Sequence, residues 1–63
     1  MNYKQIYKAK IENLFEDQHH SIIQTVIWLN KHYDAMPPDF KEANRELSDR
    51  DKNDILRDAT YPF

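Results

Sequence analysis

Glycine and cysteine are both missing from these 63 residues. Without cysteine the chain has no disulfide and no thiolate ligand for a metal. Without glycine, type I′ hairpin turns and left-handed helix caps fall to residues such as Asn and Asp, and no Asn-Gly or Asp-Gly turn occurs. Hairpins are thereby disfavoured, and helix is expected throughout. No hydrophobic run reaches transmembrane length, and Met1-Asn2-Tyr3-Lys4-Gln5-Ile6 lacks the apolar stretch of a secretory signal. A cytoplasmic protein without membrane contact is the resulting expectation.

An excess of basic charge is missing as well. Nine Lys and Arg stand against eleven Asp and Glu, for a net charge of -2. Residues 1–33 carry four basic and three acidic side chains, and residues 34–63 carry five and eight. A general nucleic-acid binder would show a basic stripe. The alternation in Asp49-Arg50-Asp51-Lys52 is that of a solvated helix face.

What the chain does have is one concentrated apolar segment. Ile22-Ile23-Gln24-Thr25-Val26-Ile27-Trp28-Leu29 places seven non-polar or β-branched side chains in eight positions. A single domain of this size buries only about 60% of its extended surface, so its own core is marginal. Such an excess points to a partner protein or a second copy of the chain.

Local signals divide residues 1–63 into a single all-α domain of three or four helices, at about 3–16, 21–34, 40–47 and 49–59. Asn2 with Gln5, Ser21 with Gln24, and Ser48 with Asp51 have capping-box spacing. Asp39 with Glu42 would begin the third helix after the Pro37-Pro38 break. Tyr3, Tyr7, Ile11, Leu14 and Phe15 form a stripe at helical period, and Lys8 with Glu12 stand at i,i+4 opposite it. Ile22, Val26, Leu29 and Tyr33 form the second stripe; strand is the competing reading there, disfavoured because it has no hairpin partner. The expected core is Tyr7, Ile11, Leu14, Ile22, Val26, Leu29, Tyr33, Phe40, Leu47, Ile55 and Leu56.

Chemistry is sparse. His19 and His20 are adjacent and diverge on any regular element, and only Glu16 and His20 share metal-ligand spacing, so no metal or cofactor is expected. Ser21 and Ser48 are accounted for by capping and sit in no triad context, so the chain is not read as an enzyme. Two binding readings remain. The first is a protein-binding module acting stoichiometrically as inhibitor, antitoxin-like neutraliser, adaptor or regulatory subunit. Its anchor would be Trp28, which falls off the second stripe, with Thr25, Ile27, His32 and Tyr33 around it. The second is a helix-turn-helix over residues 40–59, with Arg50, Lys52, Asn53 and Arg57 towards DNA, although Asp49, Asp51, Asp54 and Asp58 ride on the same helix. Met36 and Phe40 on the prolyl frame form a lesser apolar pair for recognition.

Overall fold

A computed structural model describes residues 2–63. Four helices follow in order: α1 over Tyr3–Asp17, α2 over Ile22–Lys31, α3 over Pro38–Glu46 and α4 over Asp49–Thr60, with a 3-10 turn at Tyr33–Ala35. The described residues contain no strand, so the apolar segment Ile22–Leu29 is helical.

Three of the four starts are built as the sequence predicts. The Asn2 carboxamide oxygen accepts from the Lys4 and Gln5 amides at 3.0 and 3.3 Å. Ser21 Oγ accepts from the Gln24 amide at 3.2 Å, and Ser48 Oγ from the Asp51 amide at 3.1 Å. The third start differs. Helix α3 begins at Pro38, two residues earlier than the Asp39 cap predicts, because proline is tolerated at the first helical position, where no N–H partner is needed. Asp39 lies within the first turn and accepts from the Phe40 amide at 2.8 Å. Lys8 and Glu12 form no ion pair among the described residues; Lys4 approaches Asp51 at 3.9 Å instead.

The end of α1 solves the missing-glycine problem with histidine. His19 and His20 both take the left-handed conformation, at φ 56° and 63°. Their amides donate back to the Glu16 and Phe15 carbonyls at 3.1 and 2.8 Å. This is a Schellman closure, with the accompanying side-chain contact supplied by Phe15 and His20, whose rings lie 5.2 Å apart. Phe63 folds back onto the same corner, stacked on His20 at 4.8 Å and edge-on to Phe15 at 5.6 Å.

Helix α1 is the hub. It packs extensively on α3 and α4 and more lightly on α2. Its Tyr7 ring stacks on Phe40 at 5.1 Å and 11°, and Ile11, Met36, Ala43 and Ile55 complete the buried cluster. Met36 and Phe40 are thus interior, which removes the recognition role considered for that loop. Leu14 and Phe15 are buried as well, whereas Leu29, Tyr33, Leu47 and Leu56 are half-buried around the cluster.

The predicted stripe of α2 is turned by roughly 60° from the observed one, at 100° per residue. Thr25 is completely buried and Val26 is 37% exposed, the reverse of the expectation. Thr25 fits because its hydroxyl donates to the Ser21 carbonyl at 2.7 Å and carries no unmet hydrogen bond into the interior.

Candidate functional site

The inward side of α2 carries Ile22, Thr25, Trp28 and Leu29, and the outward side carries Ile23, Val26 and Ile27. Ile23 is 72% exposed and Ile27 50%. With Asn30 these residues follow i, i+3, i+4, i+7 spacing, so they form one stripe along the helix. No ionised side chain lies between Ser21 and Asn30.

Of the residues predicted for protein contact, only Ile27 stands on this outward stripe. Thr25 is inside and cannot touch a partner. Trp28 is half-buried against the core, and its ring stacks on His32 at 4.3 Å while His32 Nδ1 lies 3.1 Å from the Trp28 carbonyl. Tyr33 packs at the core edge, accepts from Asn44 Nδ2 at 3.2 Å and has Lys41 Nζ 5.9 Å from its ring centre. Trp28 and His32 therefore lie on the side of α2 away from the outward stripe, and Tyr33 follows the helix at the core edge.

Beside that stripe, α2 and α4 stand apart. Between them lies a cleft of about 390 Å³ with Tyr7 and Ile11 of α1, Leu29 and Leu56 in its lining. Asn30, Asn44 and Asn53 reach it from three different helices, and Val26 belongs both to the cleft and to the outward stripe. A second hollow, shared through Asn53 and Leu56, continues past Ile22 to Phe63. The two hollows are neighbours with Asn53 and Leu56 common to both linings.

Lys52 closes one end of the cleft. Its Nζ donates to the Asn44 carbonyl at 3.2 Å and reaches Asn44 Oδ1 at 3.5 Å, and it pairs with Asp49 at 3.5 Å. Within the same cleft, burial pushes the Tyr7 phenol above its ordinary pKa, with nearby Tyr33 adding to the effect.

The four residues predicted for DNA contact do not form one array. Arg50, Asn53 and Arg57 are exposed and share a face of α4, but Lys52 is drawn away to cap α3. Arg57 is engaged by Asp54 at 3.3 Å. Among the described residues no three His, Asp or Glu side chains converge as a metal site. No helix of the described residues is long and apolar enough to cross a membrane.

Sequence reasoning missed Ile23, Val26, Asn30 and Asn44. The available signal was Thr25, the one small polar residue at i+3 from Ile22 and i−4 from Leu29, whose hydroxyl is able to satisfy itself on the preceding turn. Comparison with protein-family models, with curated proteins and with solved structures finds no match for this chain.

Proposed function

We propose that this small all-α domain works by stoichiometric binding of another protein through the outward face of α2. The observation that carries the reading is the exposed stripe Ile23, Val26 and Ile27 on a helix with no charge between Ser21 and Asn30. Contiguous exposed apolar surface on a small domain marks interaction sites. Masking of a partner surface, as an inhibitor, neutraliser, adaptor or regulatory subunit does it, needs no catalytic group. No turnover is assigned to the chain, and no cofactor.

The test is a pull-down from the native host with the wild type and the double variant Ile23→Asp/Ile27→Asp. Both positions are exposed, so circular dichroism and the thermal midpoint should stay near wild type. One dominant protein retained by the wild type and lost by the variant supports the reading. Equal capture by both would sink it. Light scattering over a dilution series distinguishes a second copy as the partner, since self-pairing also disappears in the aspartate variant.

The DNA reading keeps one specific observation, the solvent-facing trio Arg50, Asn53 and Arg57. Its demand is different: affinity must fall steeply with salt and with Arg50→Ala. With acidic neighbours on the helix and Lys52 withdrawn, the α2 reading is preferred.

A further inference from the structure

We infer that the cleft between α2 and α4 binds a small uncharged molecule that presents a carbonyl oxygen to the phenols of Tyr7 and Tyr33 and an apolar body to Leu29 and Leu56. This goes beyond the reading of α2 as a contact face and does not rest on it.

The buried phenol carries the inference. Tyr7 is 7% exposed and its ring is held by stacking on Phe40 at 5.1 Å, yet its hydroxyl has no hydrogen-bond partner among the described residues. Buried polar groups are nearly always paired. No unpaired side-chain oxygen among the described residues is sealed from solvent, so the Tyr7 oxygen is open, and Tyr7 lines the cleft of about 390 Å³. Burial pushes the phenol above its ordinary pKa, so at neutral pH the group presented there is a protonated hydroxyl. It is a donor without an acceptor.

A second donor is oriented by its neighbours. Lys52 Nζ reaches Asn44 Oδ1 at 3.5 Å, and Asn44 Nδ2 donates to the Tyr33 hydroxyl at 3.2 Å. This chain runs from an ammonium through a carboxamide to a phenol, each link polarising the next. The Tyr33 oxygen accepts, but its own proton has no acceptor among the described residues. Tyr33 also lines the cleft, near enough to Tyr7 for its charge to raise the Tyr7 pKa. A carbonyl oxygen, with two lone pairs, is the complement of two such donors.

Charge and space define the rest of the ligand. The ionised groups of the lining, Lys52 and Asp49, pair with each other at 3.5 Å, so an anion would be desolvated without a counter-charge. Water alone is a poor match. A water takes up about 30 Å³ and needs two to four polar partners, whereas Ile11, Leu29 and Leu56 give the cleft an apolar wall on which both leucines are only half-buried. A compact ring or branched chain covers that wall while its carbonyl meets the phenols.

The experiment titrates the full chain, labelled with nitrogen-15 and carbon-13, with cyclohexanone as probe. Saturable shifts are expected at the Tyr7 and Tyr33 rings and the Leu29 and Leu56 methyls, with none at Arg50. Tyr7→Phe keeps the ring on Phe40 and deletes only the hydroxyl, and Tyr33→Phe deletes the second donor. Each should weaken binding roughly threefold to tenfold, the loss of one hydrogen bond. A readout that needs no variant is the carbonyl carbon of labelled cyclohexanone, which should move downfield on binding, as hydrogen-bonded carbonyls do. Cyclohexanecarboxylate, which adds a charge to the same ring, should bind more weakly. Absence of saturable shifts means that water alone meets the phenols and overturns the proposal. So does wild-type affinity in both phenylalanine variants, an unmoved carbonyl signal, or tighter binding of the carboxylate.

Discussion

Lys52 Nζ of α4 donates to the Asn44 carbonyl of α3 at 3.2 Å, so one helix supplies the C-terminal cap of the helix before it. Carbonyls in a last helical turn have no intrahelical donor. Lys52→Met keeps most of the stem and deletes this donor, and it should cost about 1 kcal/mol in urea denaturation. Asp49→Ala should cost less, because Asp49 is 97% exposed on its side of the pair and such ion pairs contribute little. A larger effect for Asp49 would show that the Lys52 interaction is electrostatic rather than a cap.

Thr25 and Val26 give the orientation of α2 a direct test. Thr25→Ala removes a fully buried methyl and hydroxyl and should cost about 1 kcal/mol or more. Val26→Ala, at a partly exposed position, should cost below about 0.5 kcal/mol. Thermal unfolding of the two variants reads the order, and the reverse order would turn the helix back to the face its apolar spacing first suggests.

His19 occupies a conformation that costs a side-chain-bearing residue about 1–2 kcal/mol and glycine almost nothing. His19→Gly should therefore raise the thermal midpoint, offset in part by the greater freedom of glycine in the unfolded chain. His20→Gly should gain less, because it also deletes the ring that stacks on Phe63 at 4.8 Å and meets Phe15 at 5.2 Å. Replacing His19 by valine should destabilise, since β-branching is the poorest match to a positive φ.

Alkaline pH should weaken the fold through Tyr7. Burial raises its phenol above the unfolded value of about 10, so the neutral form is the one the fold prefers. The associated stability is complete below pH 10 and is lost as pH rises through the folded pKa. Denaturation measured between pH 9 and about 11.5 should show this decline, and Tyr7→Phe should flatten it. Tyr3 behaves in the same sense, its phenol raised first by the charge of Glu42, whose carboxylate accepts its hydroxyl at 3.2 Å, but it is solvent-facing.

The helix starts at Asn2, Ser21 and Ser48 were legible because a capping bond joins residues two or three apart and needs no tertiary knowledge. The stripe of α1 was legible for a related reason: Lys4, Lys8 and Glu12 define its wet side. Helix α2 offered no such contrast. With Gln24 as its only markedly polar residue before Asn30, several rotations bury a similar apolar area, and the one observed is marked by buried Thr25, whose hydroxyl is satisfied on Ser21. The same ambiguity placed Trp28 at the centre of a surface whose centre is Ile23 and Ile27. The left-handed pair His19-His20 was invisible, since histidine is no standard turn residue; only the lack of any glycine nearby hinted that something else had to reverse the chain. The cleft depends on how far apart α2 and α4 stand, a distance that no local pattern encodes.

Helix α2 meets α1 more lightly than α3 and α4 do. Local opening follows contact density, so hydrogen exchange is expected to be faster at the amides of Thr25 to His32 than along α1. An opening of α2 of that kind uncovers Leu29 and Leu56, which line the hollow between α2 and α4.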